Sequence, residues 1–357
     1  MSGAILVTGA QGFVGRWFIA EASARWPQRK ILGIGRSARR ATFTSHVTIG
    51  PHRLLAPLPA ALRATAPNVA YETADIRDED ALVALLIAER PAAVVHLASG
   101  LRDDPADALH SVNVEGTIVL LRALRRAEVP VDRVVIGSSG WVYGSPRSLP
   151  VRETAALAPP DPYAESKVAM ECAAWSAARE TALPLVVARI FNVVGPGLDE
   201  RHACARFASQ IAAIGAGFAE PHIVVGDLTP TRDFVDVRDV AAALAILLER
   251  GVPGQTYNVA SGRETVMEEV LTTLVAIARL GRKLNVERAY RRAADAVRVV
   301  ADIGSLAALG YDTAYPLAAS LADLYAYYTG PVATLAAAQS SSTPRASGAA
   351  AFEATQG

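Results

Sequence analysis

The sequence predicts an α/β fold: a doubly wound, mostly parallel sheet followed by a smaller α/β domain. Three observations carry this. Short, nearly continuous apolar runs alternate with amphipathic segments through the first half, the pattern of parallel strands buried on both faces. A glycine-rich turn follows the first run and opens the first helix. Past about residue 190 the alternation loosens into helices joined by short strands, as in a second domain packed over the strand ends.

Each element has its own signal. AILVT (4–8), ILGIG (31–35), AAVVHLA (92–98), RVVIGS (133–138) and LVVARI (185–190) read as buried strands, and a further strand ends at TADIRD (73–78). EDALVALLIAER (79–90) is an amphipathic helix with Asp78 placed to cap it, and 113–128 is another. Residues 41–68 give no clear period beyond a short helix near 58–65. Helices are expected at 203–216, 236–250, 264–280 and 316–328. The expected units are a dinucleotide-binding domain over 1–180, its sheet continuing to about 192, and a substrate-binding domain over 193–330. Residues 331–357, small and polar without an apolar period, read as a disordered tail.

At 357 residues the chain can bury a sizeable core. Lys plus Arg and Asp plus Glu are both 35, so charge gives no support for a nucleic-acid or anionic-membrane partner. No export signal or membrane-length apolar stretch is visible. Cys172 and Cys204 match no metal spacing and read as buried free thiols, which makes a reducing cytoplasm the default compartment.

TGAQGFVG places Gly9, Gly12 and Gly15 between the first strand and first helix. Glycines there let the backbone turn tightly and approach a pyrophosphate seated on the helix N-terminus, the Rossmann-type arrangement. The second strand of such a fold ends in an acid that holds the adenosine ribose. Here it ends GIGRSARR, with Arg36 at that place and Ser37, Arg39 and Arg40 behind it. A guanidinium pairs with a 2′-phosphate where a carboxylate would repel it, so the preferred cofactor is NADP. Asp75 and Ile76 at the third strand end, and Leu97, Ala98 and Ser99 at the fourth, suit cofactor contacts. His96, inside an apolar run, reads as a satisfied core histidine.

In DPYAESKVAMECAAW, Tyr163 and Lys167 are four apart on one helix face. A neighbouring ammonium stabilises a phenolate and lowers the tyrosine pKa from about 10, which suits proton transfer to or from a hydroxyl or carbonyl oxygen.

The glycine turn, DIRD, HLAS, Asn113 in NVEGT, SSGWVYG, PYAESK and RIFNVVGPG occur in the order seen in the extended short-chain dehydrogenase/reductases. Residues 3–328 resemble that family of nucleotide-sugar epimerases, dehydratases and reductases. The resemblance implies a catalytic set of Ser139, Tyr163 and Lys167, with Asn113 supporting the lysine through water. It adds Phe13, Val14 and Ile190 to the cofactor contacts, and Asn192 to the substrate contacts. The second half, with VGDL and RDFVDVRDV, resembles the GDP-4-dehydro-6-deoxy-D-mannose reductases within the family. That implies a GDP-linked sugar whose diphosphate is clamped by Arg232 and by Arg292 in RRAADAVRV. The bland reading of Arg232 is a surface salt-bridge lattice.

Trp141 separates the chemistries. The GDP-mannose dehydratases carry a glutamate two residues beyond the catalytic Ser/Thr; here that position is tryptophan, which has no usable acid or base. Dehydration is therefore expected to be lost, leaving NADPH-dependent reduction of a 4-keto sugar, with Tyr163 as proton donor. Tyr143 reads as a packing residue, and Ser138 as a contact to backbone or cofactor. A 4-epimerase, a 4-reductase giving a 6-deoxy-talose or 6-deoxy-heptose, and a non-catalytic dinucleotide sensor remain as alternatives. The apolar faces of 105–128 and 161–180 suit a homodimer through a four-helix bundle.

Overall fold

A computed structural model describes residues 3–49, 52–281, 283–288 and 298–342, the last seven without side chains. In chain order the strands are β1 (Ile5–Thr8), β2 (Ile31–Gly35), β3 (Thr42–Ile49), β4 (His52–Pro57), β5 (Val69–Thr73), β6 (Ala93–His96), β7 (Arg133–Ser139), β8 (Leu185–Ile190), β9 (Asn192–Val194), β10 (His222–Val225), β11 (Thr231–Asp236), β12 (Thr256–Val259), β13 (Glu264–Val266) and β14 (Asn285–Arg288). The helices are α1 (Phe13–Arg25), α2 (Ala60–Arg63), α3 (Glu79–Glu89), α4 (Ala106–Leu109), α5 (Gly116–Arg126), α6 (Pro162–Thr181), α7 (Ala203–Gly215), α8 (Val237–Arg250), α9 (Met267–Ala278), α10 (Gly304–Ala307) and α11 (Leu317–Ser342).

Seven strands form one parallel sheet in the order β12-β8-β7-β6-β1-β2-β5. The apolar runs sit in its centre: β1, β6 and the middle of β7 are buried residue after residue, as helices on both faces require. One face packs on α3, α5 and α6 through Leu82, Leu86, Leu120, Leu124 and Met170. The other meets α1 and α8 in an apolar core that continues into α7, α9 and α11. Asp78 caps α3 by accepting from the Ala81 amide at 3.0 Å. His96 is buried between Thr8 Oγ1 at 2.6 Å and Thr117 Oγ1 at 2.9 Å; burial, with the nearby Lys167 charge, pushes its pKa down to about 3 and keeps the imidazole neutral.

Several expectations are corrected. The sheet does not end near residue 192: β12 returns from the second half and pairs with β8 at the edge. Residues 42–57 form an antiparallel hairpin, β3–β4, whose mixed burial hides any clean alternation. The tail does not begin at 331, because α11 runs through Pro331 to Ser342. ATLAAAQ is rich in strong helix formers, and Val332 and Leu335 pack on the core. Residues 343–357, and Arg292, lie outside the described residues. Cys204 is buried but Cys172 is exposed, since five residues beyond Lys167 it has turned away from the face that points at the sheet. Among the described residues, no helix is long and apolar enough to cross a membrane.

Candidate active site

The strand ends of β6, β7 and β8 open into a cavity of about 440 Å³ that is also lined by β11 and α7. This is where an open α/β sheet binds ligands. Val14, Leu97, Ser99, Ser139, Trp141, Tyr163, Lys167, Ile190, Asn192 and Arg232 all line it. Gly9, Gly12, Phe13, Gly15, Arg36, Asp75, Ile76, Ala98 and Asn113 are not among its walls; they lie at the glycine turn, after β2, β5 and β6, or, for Asn113, buried behind the surface.

The glycine turn fits a dinucleotide pyrophosphate. Gly9 has φ +66° and lies against the Leu97 carbonyl, where a Cβ would stand 2.5 Å away. A Cβ on Gly15 would stand 2.2 Å from the Gly9 carbonyl oxygen, so α1 starts hard against the turn. No side chain caps α1 at Gly12 and no acidic residue stands in its first turn, which leaves amides and helix dipole for a phosphate. The loop after β2 is tied to this turn: buried Arg16 donates to the Arg40 carbonyl at 3.0 Å, and Gln11 Nε2 to the Ser37 carbonyl at 2.6 Å. Arg36 is exposed at the β2 end. Asp75 is engaged by Arg77 at 2.7 Å, and that pairing holds its carboxyl down at about 2. Ile76 is buried and packs against Gly116 of α5.

Ser139 ends β7 and Tyr163 sits in the first turn of α6. Burial raises the Tyr163 pKa, and the Ser139 and Ser99 hydroxyls, in hydrogen-bonding reach, only partly offset it. This differs from the lowering expected of a neighbouring ammonium. Lys167 lies on the same helix face, its Nζ 6.0 Å from the Tyr163 ring, but it donates to the Gly137 carbonyl at 3.1 Å. Burial pulls Lys167 down to about 8, and Glu171 one turn on works against that. Asn113 is fully buried in a π-helical stretch, His110–Glu115. Its Oδ1 accepts from the Ser99 hydroxyl at 3.0 Å and the Gly100 amide at 2.9 Å, while Nδ2 donates to Ser166 Oγ at 2.8 Å. It thus joins the β6 loop to α6 beside Lys167.

Ser138 and Tyr143 belong to a buried network behind the site. Ser138 donates to Glu171 at 2.5 Å, Arg189 pairs with Glu171 at 2.7 Å, and Tyr143 donates to Asn258 Oδ1 at 2.8 Å while accepting from Arg189. Ser138 also lines the cavity, and its hydroxyl is committed to the Glu171 carboxylate. In RDFVDVRDV the three aspartates serve the fold: Asp233 accepts from Ser261, Gly262 and Ala301, Asp236 caps α8, and Asp239 accepts from the Ala314 and Tyr315 amides. Arg232 and Phe234 are the members of this run that line the cavity.

Trp141 is held more closely than its sequence suggests. Its Nε1 donates to Asp161 Oδ2 at 2.8 Å. Asp161 also caps α6 at the Ala164 amide, 2.9 Å, and pairs with Arg102 Nε at 2.7 Å. Burial alone would raise the Asp161 carboxyl, but these three donors hold it below its ordinary value. Arg102 lies 4.5 Å over the indole and Arg232 5.8 Å from it, both within cation–π range. Sequence reasoning missed Arg102 and Asp161, which hold Trp141, and Arg206. The one signal for Arg102 was its loop just past a strand's carboxyl end. Arg206 lines the cavity from α7.

Comparison with known proteins agrees with this geometry. The model of the NAD dependent epimerase/dehydratase family matches residues 5–260, more than half of the chain. The chain belongs to that family. Its relatives include the GDP-6-deoxy-D-mannose reductase of Pseudomonas aeruginosa, 37% identical over 220 residues that cover 59% of this chain and 71% of that protein. The UDP-glucose 4-epimerase of Rhizobium meliloti is 32% identical over 269 residues, 70% of this chain and 80% of that one. Among solved structures, RMD from Pseudomonas aeruginosa complexed with NADPH superposes with a TM-score of 0.75 at 29% identity, covering 92% of this chain and all of that one. The chain is thus an extended short-chain dehydrogenase/reductase, of a family whose members bind a nicotinamide dinucleotide and act on nucleotide sugars.

Proposed function

We propose that the protein reduces the 4-keto group of a GDP-4-dehydro-6-deoxy-sugar with NADPH, in the manner GDP-4-dehydro-6-deoxy-D-mannose to GDP-D-rhamnose. The observation that carries this is the pairing at the β7 end. Ser139 and Tyr163 present two hydroxyls to one point, and the next side chain into the cavity, Trp141, brings an indole whose bound carboxylate, Asp161, is held ionised by three donors. A committed carboxylate neither takes a proton from sugar carbon 5 nor gives one at carbon 6. What remains is chemistry at a carbonyl.

In this reading Ser139 donates a hydrogen bond to the carbonyl oxygen and Tyr163, whose raised pKa keeps it protonated, gives that oxygen its proton. The dihydronicotinamide, when bound, supplies hydride to the carbonyl carbon. Lys167 at the Gly137 carbonyl holds a positive charge behind Tyr163 as the phenolate forms. Asn192 and Arg232 stand on the sugar-nucleotide side, where Arg232, and Arg292 by resemblance, would meet the diphosphate. Arg36 favours NADP over NAD, and net reduction fits a cofactor drawn from a reduced NADPH pool. The similarity to the Pseudomonas aeruginosa reductase and its NADPH-bound relative supports the same choice.

The deciding experiment offers freshly made GDP-4-keto-6-deoxy-mannose with NADPH and identifies the product by NMR. GDP-D-rhamnose with matched NADPH consumption is expected. An epimeric product would keep the chemistry and change the sugar; no NADPH consumption would sink the reading. We place the reaction in the cytoplasm, in a homodimer formed through α5 and α6, which light scattering of the purified protein would test.

A further inference from the structure

We propose that Trp141 is a specificity-determining residue that selects sugars bearing a methyl group on the carbon beside the reacting carbonyl, against a hydroxymethyl or a carboxylate there. This rests on the 4-keto-sugar reading and deepens it. Ser139 and Tyr163 fix the position of the reacting oxygen, because both hydroxyls must meet it. A substituent on a ring carbon next to that carbonyl then meets the wall just beyond Ser139. That wall is Trp141, whose backbone amide donates to Ser139 Oγ at 3.1 Å and whose side chain lines the cavity.

The indole has one polar atom, and Asp161 takes it at 2.8 Å. Arg102 lies 4.5 Å over the ring and is itself bound to the same carboxylate at 2.7 Å. The ring is fixed at its edge and covered by a guanidinium, so what it offers a sugar is carbon. A methyl packs against carbon. A hydroxyl pressed there gives up water and gains no partner from the indole, which disfavours it by roughly 10- to 100-fold. A carboxylate is the rival occupant, because Arg232 also stands 5.8 Å from the ring. Against it, Asp161 already balances the charge of Arg102, and its own negative charge lies behind the wall.

The test is calorimetric binding to the full-length protein loaded with NADP⁺. GDP-D-rhamnose and GDP-D-mannose differ only by the oxygen on carbon 6, as do dTDP-6-deoxyglucose and dTDP-glucose; UDP-glucuronate probes the carboxylate. The deoxy member of at least one pair is expected to bind more than roughly 10-fold tighter. Trp141→Ala should narrow that ratio to within about threefold, with NADP⁺ affinity unchanged. Trp141→Phe, which keeps the carbon wall, should preserve the ratio and controls for misfolding of the alanine variant. Equal affinities in the wild type, tighter binding of the uronate, binding by neither pair, or an unchanged ratio in Trp141→Ala would overturn the proposal. Binding does not require turnover. A protein that shows the ratio but consumes no NADPH would sink the reduction and leave Trp141 standing; reduction without the ratio would do the reverse.

Discussion

Lys167 and Tyr163 share one face of α6, yet the lysine ammonium donates to the Gly137 carbonyl, 3.1 Å away, and to Met170 Sδ, and lies 6.0 Å from the tyrosine ring. The lysine thus works on the tyrosine by field across a short gap, and its own charge is the weaker link, because burial brings it to about 8.

That gives a pH prediction. A proton donor needs Tyr163 protonated, which its raised pKa secures, and a charged Lys167 to stabilise the phenolate. Reduction should therefore lose rate as pH rises through about 8, with the alkaline limb of kcat/KM belonging to Lys167. Glu171→Gln, which removes the carboxylate supporting that charge, should move the limb to lower pH. A limb at tyrosine-like pH, unmoved in Glu171→Gln, would separate Lys167 from the profile. The same shift affects stability with a definite sign. Between about 8 and 10.5 the unfolded chain holds a proton on Lys167 that the folded chain has lost, so this lysine makes stability rise with pH across that window.

Tyr163→Phe removes the proton donor and leaves the packing. Turnover should fall by roughly 10²–10⁴-fold while NADPH binding, followed by fluorescence, stays within a few-fold. An unchanged rate would take Tyr163 out of the mechanism.

Arg36→Asp puts a carboxylate where the ribose 2′-position is expected. NADPH affinity should drop by at least about tenfold, one charge-assisted pair being worth that much, with NADH affected far less. A wild-type preference for NADH in Michaelis constants would refute the NADP assignment outright.

Asp161→Asn separates two duties of one side chain. The amide oxygen can still cap α6, but its NH₂ faces the Trp141 N–H and Arg102, donor against donor. Thermal stability should change by less than in Asp161→Ala, where the lost cap costs about 1 kcal/mol. Both variants should weaken sugar binding, read by calorimetry. Normal binding in Asp161→Asn would show that the indole needs no anchor.

Much of this was legible in sequence for a physical reason. The strands are buried on both faces, so β1, β2, β6, β7 and β8 stand out as apolar runs, and Asp78 marks its helix by local chemistry alone. The Tyr163–Lys167 pair is four residues of one helix. What escaped depends on contacts distant in sequence. Arg102 and Asp161 meet across 59 positions, and only the folded β6 loop brings them together. The hairpin at 42–57 was hidden because its strands are buried unevenly, and α11 because proline and polar residues argued for an end that core packing overrode. The tyrosine pKa was read the wrong way because burial, invisible in a spacing pattern, outweighs a cation that points elsewhere.

The return of β12 to the main sheet has a consequence for dissecting the molecule. A fragment ending near residue 192 would keep the glycine turn, Tyr163 and Lys167, but β8 would become a bare sheet edge lined by Val186, Val187 and Ala188. It would also lose α8, the cover of α1. Such a piece should self-associate through its open strand and not behave as a free-standing nucleotide module. The two halves share one sheet, and its β8 edge is closed only when the distal part of the chain comes back.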